Sequence, residues 1–382
     1  MTRRLLITGA RAPVSLDLAR AAQNAGYRVQ LADSIACYAA RMSGLGPVLK
    51  LPPPRFQFTA FAQGLSEYCA KHPGALIIPT CEEVFFISAA AERHGFGDQV
   101  LAADLSTLRR LHSKIEFPAL LQSLGIAAPA TRVFEQAASP QDHRNAVLKP
   151  EFSRFGNAAM IRPNARQSAR IAPSDDHRWA QQEYIAGEEF CLWSAAREGA
   201  LTASVVYRPK WRHGQTAAYA FEAVEAPEAV DIARRLARAL NYTGQIGLDM
   251  IRNTDGEFIP VECNPRAVSG LHLFGSGADL ARALVGDGPV VHIGAGLRYI
   301  APAMWMLGLP KSVMSGRLSQ WRSDIASGRD VLRPDTSGWK AFGPVLGALW
   351  DGARFFATSV PGMRSAAGQT THDIEWNGER IA

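Results

Sequence analysis

Two neighbouring stretches of alternating polarity, joined by an Asp-Gly turn, most constrain how this 382-residue chain can fold. Gln245 to Ile251 and Glu257 to Cys263 are predicted strands of one hairpin, because a short Asp-Gly turn is typical of that motif. Side chains alternate faces along a strand, so each strand has one apolar face and one polar face. The apolar face is expected to hold Ile246, Leu248, Met250, Ile259, Val261 and Cys263. Asp249, Glu262 and Asn264 are expected to converge on the opposite face.

The polar face of this hairpin has the composition of a magnesium site. Carboxylate and amide oxygens are ligands suited to Mg²⁺ that bridges phosphates. Arg266 follows directly and is suited to a phosphate or a developing oxyanion. Spacing alone leaves a second interpretation open, in which these acids are solvated. Lys149 at the end of a predicted strand and Lys114 at a predicted helix start favour the binding of a triphosphate.

Taken together, these residues resemble the ATP-grasp superfamily, with relatives such as carbamoyl-phosphate synthetase large chains and D-alanine–D-alanine ligases. Four motifs stand in the superfamily's order, and the resemblance covers roughly residues 1–290. The motifs are Lys114 before Gly125-Ile126-Ala127-Ala128-Pro129, the strand Val147-Leu148-Lys149-Pro150, the segment Gln182 to Glu189, and Asp249 before Glu262-Cys263-Asn264-Pro265-Arg266.

The resemblance implies an ADP-forming ligase that activates a small-molecule carboxylate as an acyl phosphate and joins it to an amine. It implies ATP and two Mg²⁺ ions as cofactors, with Mn²⁺ as a substitute. By position, Asp249, Glu262 and Asn264 would hold the metal, and Arg266 would steady the acyl phosphate or the tetrahedral oxyanion. The residues implied to contact ATP are Lys114 and Lys149 at the phosphates, backbone groups of Glu183, Tyr184 and Ile185 at the adenine, and Glu189 at the ribose.

The phosphate loop departs from the superfamily pattern. Many relatives follow the second lysine with a glycine-rich loop, whereas residues 151–157 contain one glycine. Backbone contacts to phosphate are therefore less secure here. We expect Arg154 to cover the β- and γ-phosphates instead.

The fold class is predicted as α/β, with a Rossmann-like domain before a two-part grasp fold and a C-terminal extension. The opening strand–loop–helix–strand pattern, Arg4 to Asp33, implies a parallel α/β unit. The expected domains are 1–102 for this unit, 103–145 for central helices, 146–209 for a lid subdomain, 210–290 for the metal-binding subdomain and 291–382 for the extension.

Four further side chains are candidates for substrate contact. Arg11 and Glu82 follow strands of the first domain, while Ser269 and His272 follow the hairpin. The alternatives are a surface charge for Arg11, a helix N-terminal acid for Glu82 and a structural histidine at 272. A dehydrogenase is disfavoured because the first loop lacks GxGxxG.

Composition excludes several classes. The net charge of +6, without a basic cluster, disfavours a nucleic-acid partner. Five cysteines without a CxxC pair predict reduced thiols and a cytoplasmic protein. No apolar run approaches the ~20 residues of a membrane span. The apolar stretch 341–361 is expected to pack onto the body rather than lie on a membrane, and the five tryptophans from Trp305 onward suggest an extension that shapes an apolar acceptor pocket.

Two other functions remain open at this stage. One is an ATP-grasp enzyme that makes a thioester or a carboxy- or carbamoyl-phosphate product. The other is a non-catalytic ATP-binding regulator, although a pure binder has no need of Arg266 at the reacting end. The sequence identifies neither substrate, and a homodimer is compatible with it.

Overall fold

The computed structural model describes residues 2–135, 141–153, 158–212, 218–333, 339–358 and 366–381, with the backbone alone at 339–340 and 366–367. The strands are β1 (Arg4–Thr8), β2 (Arg28–Asp33), β3 (Val48–Lys50), β4 (Leu76–Ile78), β5 (Thr131–Val133), β6 (Ala146–Pro150), β7 (Met160–Ile161), β8 (Trp179–Glu183), β9 (Gly187–Arg197), β10 (Ala200–Arg212), β11 (Ala218–Val224), β12 (Gly244–Asn253), β13 (Phe258–Asn264), β14 (Val291–Ile293), β15 (Gly296–Tyr299) and β16 (Arg329–Asp330). The α-helices are α1 (Pro13–Asn24), α2 (Tyr38–Arg41), α3 (Phe58–Lys71), α4 (Glu83–His94), α5 (Leu105–His112), α6 (Glu116–Ser123), α7 (Ala165–Ser168), α8 (Pro227–Ala239), α9 (Ala278–Val285), α10 (Ala301–Ala303), α11 (Leu309–Met314), α12 (Leu318–Ser327), α13 (Gly343–Ala357) and α14 (Ala366–Gln369). Short 3₁₀ turns lie at Gly97–Gln99, Ser269–Phe274 and Trp339–Phe342, and a π-helical turn at Met304–Gly308 joins α10 to α11.

The N-terminal unit is a parallel sheet with the strand order β3-β2-β1-β4. Its central strand is fully buried from Leu5 to Ile7, as expected for a parallel strand covered on both faces. The strand order reverses direction beside β1, so the loops after β1 and β4 meet at the crevice where open α/β sheets bind ligands. The predicted parallel α/β opening is confirmed.

The grasp consists of a small antiparallel sheet and a large, mainly antiparallel sheet, in which the pairs β10–β14 and β15–β16 are parallel. The smaller sheet has the order β5-β8-β6-β7, and the larger runs β13-β12-β9-β10-β11-β15-β16, with β14 beside β10. These sheets divide the chain between Glu183 and Gly187, whereas the predicted lid subdomain extended to residue 209. Residues 187–209 lie instead in β9 and β10, long strands of 11 and 13 residues in the large sheet.

The C-terminal extension is continuous with the large sheet rather than separate from residue 291. β14, β15 and β16 pair with strands of that sheet. Beyond them, α13 packs on α2, and the final described segment, 366–381, runs back to the N-terminal unit. None of the helices in the described part of the chain has the length and apolar character needed to cross a membrane.

Candidate functional site

The polar face of the hairpin forms as predicted, but a β-bulge changes one of its strands. Asp249 pairs with Glu262, and Gly247 pairs with Asn264, so the three polar side chains share a face. The register then shifts, because Met250 lies opposite Pro260 and Val261 is the extra residue of the bulge.

The bulge makes the predicted apolar face of the second strand wrong in part. Cys263 lies in the core as expected, whereas the core residue at the start of the strand is Phe258. Ile259, opposite Ile251, shares a face with Asp249. The bulge therefore reverses the facing of the strand before residue 261 and leaves that residue's carbonyl free to accept bonds from elsewhere.

Asp249 lies in a confined pocket between two donors. The Cys191 thiol donates to its Oδ1 over 3.3 Å, and the Asn264 Nδ2 donates to its Oδ2 over 3.3 Å. Burial, together with the charge of Glu262, raises the pKa of Asp249 to about 6. Burial and the negative charge of Asp249 raise the pKa of the Cys191 thiol, so the thiol stays protonated and remains a donor. The pocket thus disfavours the charge of Asp249 until a cation enters it.

Two buried lysines stand beside the carboxylates. The Lys149 Nζ donates over 3.0 Å to the carbonyl oxygen of Val261, the oxygen that the bulge leaves free. The Lys114 Nζ lies 3.4 Å from Glu262 Oε1 and donates to the Ser153 carbonyl over 2.9 Å. Burial lowers the pKa of Lys149 to about 8, although Glu262 opposes the shift.

An ion pair between a buried glutamate and a half-buried arginine, which the sequence reasoning missed, helps to fix Lys114. Glu151 accepts two bonds from the Arg178 guanidinium, both 2.8 Å, and one from the Ser113 hydroxyl at 2.6 Å. The Lys114 N–H also donates to the Glu151 carbonyl. Ser113 Oγ also accepts from the Glu116 N–H, while the Glu116 side chain pairs with Arg109. In the sequence, the signal that pointed to a role for Glu151 was its position two residues after Lys149.

Arg266 joins the hairpin to the N-terminal crevice. Its Nη2 donates to Asn264 Oδ1 over 3.2 Å and lies 3.6 Å from Glu82 Oε1. Glu82 is 2% exposed, so this arginine is its ionic partner at the domain junction. The neighbouring Glu83 is turned inward instead and accepts from the Thr8 hydroxyl at 2.7 Å.

The segment expected to read adenine links the two sheets. The Glu183 N–H donates to the Ala130 carbonyl and the Tyr184 N–H donates to the Asn145 carbonyl. Of the three N–H groups at 183–185, that of Ile185 is therefore the one left for a base among the described contacts. Gly187 ends the link, where a Cβ would lie 2.1 Å from the Arg252 carbonyl oxygen.

Glu189, the residue expected at the ribose, shares the face of Asp249, because it pairs with Ile251. Its carboxylate forms an ion pair with Arg212 at 2.6 Å. Any contact to a ribose would therefore involve a carboxylate that is already held by an arginine.

Two of the predicted substrate contacts are used inside the protein. Arg11 is paired with Asp33 at 2.5 Å and with Asp373 at 2.6 Å, so it is neither a surface charge nor open to a substrate. His272 Nδ1 is 2.7 Å from Asp17 Oδ2, and its ring stacks on Phe221, which favours the structural role. Ser269 is half-buried at the start of a 3₁₀ turn. Arg154, expected over the phosphates, lies outside the described residues.

The oxygen atoms that this site offers as ligands fit a divalent cation. Two carboxylates face one another across the hairpin and an amide lies beside them, which is the oxygen chemistry that Mg²⁺ takes. Asn264 now presents its nitrogen to Asp249 and its oxygen to Arg266. As a metal ligand it would need the reverse orientation of that amide.

Comparison with known proteins identifies the fold. No protein-family model and no curated protein matches the sequence. Among solved structures, N5-carboxyaminoimidazole synthetase from Staphylococcus aureus complexed with ADP is 12% identical, with a TM-score of 0.60 over 82% of this chain and 87% of that one. L-amino acid ligase from Bacillus licheniformis is 15% identical, with a TM-score of 0.52 over 74% of each chain. The biotin carboxylase domain of Hydrogenobacter thermophilus 2-oxoglutarate carboxylase, a dimer with MgADP and bicarbonate, is 11% identical, with a TM-score of 0.55 over 75% and 70%. The chain therefore has the ATP-grasp fold of these structures.

Proposed function

We propose that this chain is an ATP-dependent carbon–nitrogen ligase that activates a carboxylate as an acyl phosphate and joins it to an amine. The observation that carries the proposal is the convergence of three kinds of group at one point: the facing pair Asp249 and Glu262, the lysines 114 and 149 beside them, and Arg266 on Asn264. Such a site has ligands for a metal and positive charge for a phosphate and for an acyl intermediate.

The first step is phosphoryl transfer. A carboxylate oxygen of the substrate attacks the γ-phosphorus of ATP, and the bond to the bridging oxygen of ADP breaks. Lys149 is mostly protonated at neutral pH, because its pKa of about 8 lies above that pH, and it can pair with phosphate oxygens. Asp249, Glu262 and Asn264 would hold Mg²⁺. When bound, the metal neutralises charge on the transferring group.

The second step is acyl transfer. The amine nitrogen attacks the acyl carbon, phosphate leaves, and the nitrogen loses a proton to solvent or to phosphate. Arg266 is the cation placed to steady the oxyanion of that intermediate, since its guanidinium lies between the hairpin and Glu82. With Arg266 in this role, the acceptor would bind between the large sheet and the N-terminal crevice.

Other features of the proposal follow the same reasoning. Two Mg²⁺ ions, replaceable by Mn²⁺, would act with ATP, and the substrates would be small molecules of the cytoplasm. A bicarbonate-derived carboxyphosphate is the competing product, because one structural neighbour was solved with MgADP and bicarbonate.

ADP release with Mg²⁺ across a panel of carboxylates and amines tests the proposal. Glu262→Gln should lower ADP release by roughly two to three orders of magnitude, because it removes a metal ligand and the partner of Lys114. Asp255→Asn, in the exposed turn of the same hairpin, is the matched control and should retain turnover.

Each rival has its own outcome in that assay. ADP release with bicarbonate alone would favour the carboxyphosphate product. Release that depends on a thiol would indicate a thioester. Tight ATP binding without ADP from any pair would point to a regulator and contradict the ligase.

A further inference from the structure

A broad apolar surface covers the last third of the chain. Of the sixteen large hydrophobic side chains that are exposed in the described residues, ten lie in two helical segments, 301–314 and 342–357. They are Trp305, Met306, Leu307, Val313, Met314, Phe342, Leu346, Leu349, Trp350 and Phe356. The two segments touch through α10 and α13. An exposed apolar surface concentrated in this way marks a contact site rather than ordinary scatter.

The helix α13 is apolar on both of its faces. One face packs on α2, where a Cβ at Gly347 would lie 2.5 Å from the Tyr38 backbone. The other face is exposed at positions 342, 346, 349, 353 and 356, a helical spacing that runs along the whole element. Phe356 is 76% exposed and Met314, on the neighbouring segment, 88% exposed. A helix of this kind is stable when both faces are covered.

The acids of this region point inward. In the described residues 301–333 and 339–358 they are three in number: Asp324, Asp330 and Asp351. Asp324 accepts from the Trp211 indole at 2.7 Å and pairs with Lys210. Asp330 and Asp351 accept backbone N–H groups. The described part of this surface therefore presents no exposed carboxylate.

Cations flank the apolar surface. Lys311 is exposed on α11 beside Val313 and Met314. The Arg333 guanidinium lies 4.6 Å from the ring centre of Phe342. Arg41 is exposed over the ring of Tyr38, which meets Trp350 edge-on. The described part of this surface therefore has an apolar centre with aromatic side chains and a rim of cations.

We propose that this surface binds the headgroup region of an anionic lipid bilayer. Tryptophan is suited to that depth of a membrane, and basic side chains at the rim add attraction to anionic lipids. A second copy of the chain is the poorer occupant. A two-fold contact would place the same patch on itself and bring the cationic rims together without acids to neutralise them. The surface lies on the membrane and does not cross it.

Co-sedimentation of the full-length protein with lipid vesicles tests the proposal. Binding to vesicles of phosphatidylcholine with phosphatidylglycerol should exceed binding to phosphatidylcholine alone and should weaken as salt is raised. The double variant Leu346→Glu/Phe356→Glu should lower the partition coefficient by about tenfold or more. Val290→Glu is the matched control, because Val290 is 70% exposed outside the two segments, and it should bind as the parent does.

Several outcomes would overturn the membrane assignment. They are equal binding to both kinds of vesicle, an equal loss in the Val290→Glu control, or a change from dimer to monomer in the double variant with no vesicle binding by the parent. The last result would make the surface an interface between copies. If the double variant fails to fold by circular dichroism, Met314→Glu replaces it, since a side chain 88% exposed contributes little packing.

Discussion

Asp249 is held in a pocket that disfavours its own charge. Burial and the adjacent Glu262 raise its pKa to about 6, so its carboxylate is ionised at neutral pH only at a cost to the fold. A carboxyl group whose pKa is raised on folding stabilises the fold at low pH, and that contribution is lost as the pH rises through about 6. A cation bound between Asp249 and Glu262 would remove the cost. The pocket thus costs stability in the absence of a cation, and the proposed metal site would account for that cost.

This reasoning predicts how Asp249→Asn should behave in thermal unfolding. Without metal at pH 7.5, the variant should melt at the same temperature as the parent or a few degrees higher, because the neutral amide carries no buried charge. The difference should narrow below about pH 6, where the parent carboxyl takes up its proton. Mg²⁺ should raise the melting temperature of the parent and leave the variant nearly unchanged. An equal Mg²⁺ effect in both proteins would contradict the metal assignment.

At the scale of elements, the bulge in β13 is what connects the two sheets at the site. The carbonyl of Val261 accepts from Lys149 at the end of β6 and from Gln182 of β8 at 3.4 Å. In a strand without the bulge, the side chains before residue 261 would face the opposite side of the sheet. Lys149 therefore depends on an irregularity of β13 for its position and its depressed pKa.

That pKa predicts proton uptake when ATP binds. At pH 8.5 most of the free protein has a neutral Lys149, and the phosphates should raise its pKa and draw a proton from the buffer. Calorimetry in two buffers of different ionisation enthalpy should give an uptake of up to about three quarters of a proton at pH 8.5 and up to about a tenth of a proton at pH 7. Lys149→Met should abolish the uptake and weaken ATP binding, whereas Lys71→Met, at an exposed position, should change neither. Uptake retained in Lys149→Met would disprove the role of this lysine.

The elements also explain what the sequence could and could not predict. Local patterns were sufficient for the hairpin and its acids, because alternation and turn chemistry act between close neighbours. The order of the motifs was recognised from the resemblance to the ATP-grasp superfamily. The bulge at Val261 was not predictable, since only pairing with β12 reveals it. The pair Glu151–Arg178 and the contact of Arg11 with Asp373 join residues far apart in the chain, and a single sequence does not show which cation each acid pairs with.

At the scale of the whole molecule, the C-terminal segment 366–381 connects the N-terminal unit to the loop that follows β6. Asp373 pairs with Arg11 in the crevice after β1. Trp376 is buried and stacks on Phe85 at 4.7 Å, and it also lies 5.0 Å from Phe152. Phe152 directly precedes Ser153, whose carbonyl accepts from Lys114. The segment beyond residue 370 therefore packs against the loop whose carbonyl holds Lys114.

Trp376→Ala tests that packing. The substitution removes a buried ring, so it should cost about 3–5 kcal/mol of stability and lower the melting temperature by several degrees. It should also weaken ATP binding, because Phe152 loses the ring it packs against. Trp305→Ala is the matched control: its side chain is 52% exposed, so melting and ATP affinity should change little while vesicle binding falls. A loss of stability with unchanged ATP affinity would show that the segment only holds the fold together. Equal melting temperatures of the two variants would show that Trp376 does not hold the N-terminal unit in place.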